Sequence, residues 1–201
     1  MSFPTLIVMA KPPVLGKAKS RLAADVGPKA ALEVYQRLLG HTLEQSRAYA
    51  GDARVFEAFH SAEYRGFEGF GTVLQQGEGL GERMAHAFTT ADCPALMIGT
   101  DCPGVTTALL HQAAEALESA DVVLGPANDG GYYLIGLKSW QPEMLKGIPW
   151  STAGVMQATL NQASQLGLNV TQLHELVDID TFADLKETGF APDLIRKHAS
   201  L

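Results

Sequence analysis

The sequence predicts an α/β fold, a mostly parallel sheet covered by helices on both faces in three αβα layers. Three observations predict it. Short continuous apolar runs, TLIVMA at 5–10 and ALMIGT at 95–100, have the composition of strands buried on both faces. Between such runs, apolar residues recur at helical spacing, as with Leu32, Tyr35, Leu39 and Leu43. The alternation continues along all 201 residues without repeat, low-complexity tract or linker, so a single domain, 1–201, is expected.

The elements follow in order. After the first strand comes a loop, Lys11 to Gly16, shaped by two prolines. Gly27-Pro28 then opens a long helix, with Pro28 suited to the first turn. Residues 53–59 and 71–76 are the second and third strands, and a glycine-rich GEGLGER leads into another helix. The strand at 95–100 ends at Asp101 and is followed by an alanine- and leucine-rich helix over 105–118. DVVLG at 121–125, the turn cluster GPANDGG and the strand YYLIGL come next. Ser151 is a plausible N-cap for a helix ending near Gln165, and Gly167 fits its end. A strand near 169–176 leads to DIDT and a short helix from Thr181 to Thr188.

Composition removes several classes of function. A net charge of −7 argues against a broad nucleic-acid interface, which needs a basic face. Cys93 and Cys102 are too few for a disulfide framework and lack CxxC spacing, so reduced thiols in a cytoplasmic protein are expected. Leu6 to Ala10 is too short for a signal peptide, and no stretch approaches the about 18–20 apolar residues of a membrane span. The histidines lack HxxxH or HExxH spacing, and no serine lies in GxSxG.

Four segments can carry chemistry. KPPVLGKAKSR, 11–21, holds Lys11, Lys17, Lys19 and Arg21 without an acidic residue and directly follows the first strand. Ligands of such sheets bind beyond the carboxyl ends of the strands. Lysine and arginine match phosphate oxygens, and Gly16 permits close backbone approach. A solvated basic loop is the alternative. Asp101 in GTDCP emerges past a buried strand at the same sheet edge, where one carboxylate suffices for magnesium completed by phosphate and water. A turn aspartate before proline is the plain alternative. In Asp178-Ile179-Asp180-Thr181, two carboxylates can supply a second metal ligand, or Asp180 or Thr181 can cap the last helix. Asp129, in NDGGYY, can face a sugar hydroxyl or serve as a base, or belong to a simple turn. Trp150 can pack in the core or line a pocket.

Taken in order, KPPxxGxxKSRL, GTDCP, GPANDGGYYLIGL, IPWST and DIDT resemble the GT-A-type nucleotide-diphospho-sugar transferase superfamily. The nearest resemblance is to a bacterial branch of mostly uncharacterised proteins named as glycosyltransferases. AKSRL, 18–22, is also similar to the loop of 2-phospholactate guanylyltransferases, and DIDT to the C-terminal motif of molybdenum-cofactor nucleotidyltransferases. The resemblance implies a GT-A-like fold and a Mg2+ or Mn2+ cofactor. It places phosphates on Gly16, Lys17, Lys19 and Arg21, with Lys11 beside them, and the metal on Asp101, with Asp180 as a second ligand. It sets Gly79, Gly81 and Arg83 near the nucleotide base. Lys19, Arg21 and Asp129 become the catalytic candidates. The sequence departs from both relatives. The glycine-rich nucleotidyltransferase signature with its Pro-Lys is not intact, and Thr100-Asp101-Cys102 is not a DxD.

The expected function is a metal-dependent transferase using a nucleotide-sugar and a small-molecule acceptor. Nucleotidyl transfer to a phosphorylated or hydroxylated acceptor, with release of pyrophosphate, is the alternative. A nucleotide-binding module without turnover and a phosphate-ester hydrolase are readings of other classes.

Overall fold

The computed structural model describes residues 3–61 and 64–198. Seven strands form one sheet in the order β3-β2-β1-β4-β6-β5-β7. They are β1 Thr5–Ala10, β2 Ala53–Glu57, β3 Gly71–Leu74, β4 Ala95–Ile98, β5 Val122–Pro126, β6 Tyr132–Leu137 and β7 Val170–Gln172. β6 runs antiparallel to both neighbours, and the remaining pairings are parallel. The antiparallel strand arises because only the turn at 127–131 separates it from β5. A parallel return needs a crossover of a dozen or more residues.

The double-sided burial anticipated for β1 is present. Leu6, Val8 and Ala10 join one core with α2 (Pro28–Ala48) and α4 (Thr107–Ser119), through Tyr35, Leu39, Leu110 and Ala113. Ile7 faces the other core with α3 (Leu80–Ala91) and α5 (Val155–Gln165), through Met84, Phe88 and Ala163. A third cluster lies outside these layers. Leu22 and Val26 of α1 (Ser20–Val26) meet Val34 and Leu38 of α2, Leu185 of α6 (Phe182–Thr188) and Leu194 of α7 (Pro192–His198). Ile179, fully buried in that cluster, fastens the DIDT segment to it.

The observed elements refine the sequence expectations. α1 is unannounced because residues 20–26 offer only two buried anchors among polar and small residues. The helix expected to start at Ser151 starts at Val155. Ser151 sits in a turn at φ +64, and Gly154 occupies the N-cap position. Thr181 caps α6 in a capping box with Asp184, which leaves Asp180 free of that task. Gly167 stands just past α5 at φ +70, as a left-handed helix end requires. Among the described residues no helix is long and apolar enough to cross a membrane.

Candidate functional site

The carboxyl ends of β1 and β4 open into a cleft of about 770 Å³, within the range of small-molecule sites. The helices pack on the faces of the sheet, so this edge is left to loops.

The basic loop enters the cleft only in part. Lys11, Lys19 and Arg21 line it, whereas Gly16, at φ +76, and Lys17 stay exposed and outside its lining. Tyr35 fixes the start of the loop. Its hydroxyl donates to the Lys11 carbonyl at 2.8 Å and accepts from the Lys11 N–H at 3.0 Å. Burial pushes the Tyr35 hydroxyl up to about 12, so it remains a neutral donor. Lys19, at φ 55 in the left-handed region, is the N-cap residue of α1, and its side chain is 3% exposed.

That lysine does not point at solvent. Its Nζ lies 2.6 Å from Asp101 Oδ1 and 3.4 Å from Asp180 Oδ1, and donates to the Ile179 carbonyl. The ammonium thus stands between the two carboxylates to which the resemblance assigns a metal. Arg21, 71% exposed, reaches the other Asp180 oxygen at 3.0 Å. The Ile179 N–H donates to the Asp101 carbonyl at 3.0 Å, which ties the DIDT segment to the end of β4.

Asp178 takes a different environment from Asp180, two residues away. Its N–H donates to Asn128 Oδ1 at 3.1 Å, while its own Oδ1 is shut from solvent without a hydrogen-bond partner. Burial, reinforced by the charges of Asp101 and Asp129, raises the carboxyl to about 7. Cys102, beside Asp101, donates its thiol to the Val177 carbonyl at 3.3 Å, and burial raises its pKa out of the reactive range.

Asp129 folds its turn back on itself, accepting the Gly131 N–H at 2.8 Å, and lines the cleft. Gly130, at φ +87, lies against Ala153, and a Cβ there would run into the Ala153 carbonyl. The Met156 N–H donates to the Gly130 carbonyl at 2.9 Å, so the β5–β6 turn and the segment before α5 form one wall. Trp150 both packs against the second core and lines the cleft.

Next to Trp150, Gly79 precedes α3, whose N-terminus has no side-chain cap. Gly81 is glycine for a packing reason, since a Cβ would strike Trp150 Nε1. Arg83 lines the cleft with its Nε donating to the Gly77 carbonyl at 3.0 Å. Gln75 lines it too, its amide donating to the Phe56 carbonyl at 2.6 Å.

Sequence reasoning gave no role to Tyr35, Gln75, Tyr132 or Thr152, all of which line the cleft. Gln75 stands just past a strand end, a position that carries some signal. Tyr35 is indistinguishable in sequence from a core residue of a long helix.

The donor set suits a hard divalent cation. Asp101 and Asp180 are 44% and 36% exposed, so both carboxylates are open to an incoming ligand. Among the described residues no group of three or more His, Cys, Asp or Glu side chains closes around a metal position. Such a site fits an ion that draws most of its shell from phosphate and water, as magnesium does.

Comparison with solved structures shows the fold. A crystal structure named "putative nucleotide-diphospho-sugar transferase", from Desulfovibrio desulfuricans G20, is 29% identical with a TM-score of 0.85, over 98% of this chain and 99% of that one. The 2-C-methyl-D-erythritol 4-phosphate cytidylyltransferase of Thermus thermophilus is 20% identical, with a TM-score of 0.56 over 99% and 100% of the chains. Rv0371C of Mycobacterium tuberculosis H37Rv, solved in complex with manganese, is 16% identical, with a TM-score of 0.54 over 92% and 97%. No curated protein matches the chain in sequence. The architecture is therefore that of nucleotide-diphospho-sugar transferase-like proteins. Residues 40–152, more than half of the chain, match the family described as "Uncharacterized protein conserved in bacteria (DUF2064)", and the chain belongs to that family.

Proposed function

We propose that this chain is a divalent-cation-dependent transferase that moves a sugar from a nucleotide-sugar to a small acceptor. The observation that carries the proposal is the Asp101–Lys19–Asp180 arrangement. Two part-exposed carboxylates face a cleft and converge on one ammonium, with Arg21 beside them. The likeness to the Desulfovibrio protein over nearly the whole chain supports the same reading.

Asp101 and Asp180 would hold Mg2+ or Mn2+, which when bound neutralises diphosphate charge. Lys11, Lys19 and Arg21 add positive charge where the leaving diphosphate gathers it. Arg83 and the α3 N-terminus lie where the nucleoside end would rest, and Gly81 lets Trp150 pack against that wall. Asp129 would take the acceptor proton. Much of the acceleration would come from positioning.

The test is product identity. The protein is incubated with Mg2+, nucleotide-sugars, nucleoside triphosphates and a pool of small acceptors. Nucleoside diphosphate released only with acceptor present is the expected result. Pyrophosphate formed in step with a nucleotide adduct would establish nucleotidyl transfer instead, and an intact nucleotide bound without turnover would indicate a binding module. Asp101→Asn should keep the fold and lower metal-dependent nucleotide affinity by about 10–100-fold, read by calorimetry with and without Mg2+. Unchanged affinity would remove Asp101 from the site.

A further inference from the structure

The cleft has two arms of opposite electrostatic character. Among the described residues its cations come from two places, Lys11, Lys19 and Arg21 of the basic loop, and Arg83 of α3. The other arm is the wall built from the β5–β6 turn and the segment before α5. Residues 127–137 and 147–165 contain no lysine or arginine. They bring Asp129, Tyr132, Trp150 and Thr152 to the cleft, with Met97 and Ile135 also lining it. Asp178 is tied to this wall by its N–H, which donates to Asn128 Oδ1.

We propose that this arm is the acceptor subsite, and that the acceptor is an uncharged hydroxylated molecule with an apolar face, of the glycoside kind, and not a phosphate ester. The proposal rests on the transferase reading above and selects among the acceptors left open there. A phosphate monoester carries about −1.5 to −2 charges at neutral pH. Here it would meet Asp129 with no facing cation from the wall, and like charges in a partly desolvated space repel strongly. A hydroxyl reverses the sign of that interaction, because it donates to the Asp129 oxygen that the turn leaves free. The apolar face of a sugar ring or aglycone would lie against Trp150, the half-buried aromatic of this wall. In the transfer, the acceptor oxygen bonds to the anomeric carbon. The bond from that carbon to the diphosphate oxygen breaks, and its electron pair leaves with the nucleoside diphosphate. The hydroxyl proton passes to the Asp129 carboxylate.

The two tryptophans allow a direct test. Trp140 stacks on Phe88, with ring centroids 5.5 Å apart, and is not part of the cleft lining. Trp140→Phe therefore leaves Trp150 as the reporting indole. Phenyl β-D-glucoside should change its emission saturably. Phenyl phosphate should bind about tenfold more weakly or worse, measured in an Arg21→Ala background so that the other arm does not capture it. Thr152→Lys should raise phenyl phosphate affinity several-fold by supplying the missing cation. Equilibrium dialysis of both probes against Arg21→Ala protein with both tryptophans intact repeats the ranking without the Trp140 substitution. Tighter or equal binding of phenyl phosphate overturns the proposal, as does a glucoside that leaves Trp150 unperturbed. Heat stabilisation by Mg2+ with nucleoside diphosphates, run in parallel, reports on the transferase reading alone. Its failure with the glucoside ranking intact would sink that reading and leave the subsite chemistry standing.

Discussion

The two arms of the cleft differ in how their polar atoms are satisfied. In the basic arm Lys19 and Arg21 have partners within the protein. Lys19 is buried against two carboxylates and a carbonyl, and Arg21 holds the remaining Asp180 oxygen. In the hairpin arm Asp129 spends one oxygen on its own turn, and Asp178 Oδ1 is buried without meeting an N–H. Buried unpaired acceptors are costly, whereas paired charges hold a loop in place. The basic arm is therefore organised by its own cation before any ligand arrives, and the hairpin arm keeps the second Asp129 oxygen for one.

The largest effect should come from breaking the first arrangement. Lys19→Met leaves Asp101, Asp180 and the Ile179 carbonyl without the ammonium that gathers them. Breaking a fully buried ion pair costs about 3–5 kcal/mol, and the exposure of both carboxylates should reduce this to about 2–3 kcal/mol. Denaturant unfolding measures it. The same change frees two carboxylates for a cation, so the nucleotide-free variant should bind Mn2+ about tenfold more tightly than the native protein, read by calorimetry. Unchanged Mn2+ affinity would mean that Lys19 and the metal do not compete.

That interplay was only half legible in the sequence. The strand-ending position of Asp101 and the cluster of Lys11, Lys19 and Arg21 were visible because periodicity locates strand ends and charge patterning locates loops. What joins them was not. Lys19 and Asp180 lie 161 positions apart, and their meeting depends on Ile179 being buried in a third cluster to which α1, a helix that carries little periodic signal, brings Leu22 and Val26. Gly16 and Lys17 looked equivalent to Lys19 in composition, yet both stay on the exposed part of the loop. In the hairpin arm, YYLIGL marked the strand cleanly. Its antiparallel direction follows from the brevity of the preceding turn, a topological rather than a compositional signal. The division of labour between Asp178 and Asp180 is set by which side of the buried Ile179 each falls on.

An intermediate effect is expected from the buried Asp178 carboxyl. Asp178 has an ordinary value of 3.8 and is raised to about 7 in the folded protein. Between about pH 4 and pH 7 the unfolded chain releases this proton while the folded protein keeps it. Stability should therefore fall as pH rises through that window and level off above it. Asp178→Asn removes the slope, so the variant should match the native protein near pH 4 and exceed it at about pH 8, by on the order of 1–2 kcal/mol. Urea unfolding of metal-free protein across that range measures it. A native protein with no decline between these limits would show that Asp178 finds a partner in solution, and the contrast between the arms would weaken.

The smallest effect on stability, and the sharpest on ligand binding, should come from Arg21. Its guanidinium is 71% exposed, and its ion pair with Asp180 joins two part-hydrated groups. Exposed pairs contribute about 0–1 kcal/mol, because solvent screens the attraction and holding long side chains costs entropy. Arg21→Ala should thus leave the unfolding midpoint almost unchanged, in contrast to Lys19→Met. For a ligand the balance is different. An arginine at the mouth of the basic arm loses little by turning from Asp180 to a diphosphate, and its fork then matches two phosphate oxygens. Loss of that contact should lower nucleoside diphosphate affinity by about tenfold, while binding of the bare nucleoside stays the same. The two cations of the basic loop would then separate cleanly, Lys19 shaping the site from inside and Arg21 reading the ligand from its rim. Equal loss for nucleoside and nucleotide, or a fall in stability as large as that of Lys19→Met, would place Arg21 in the framework of the loop and leave the phosphates to Lys11 and Lys19.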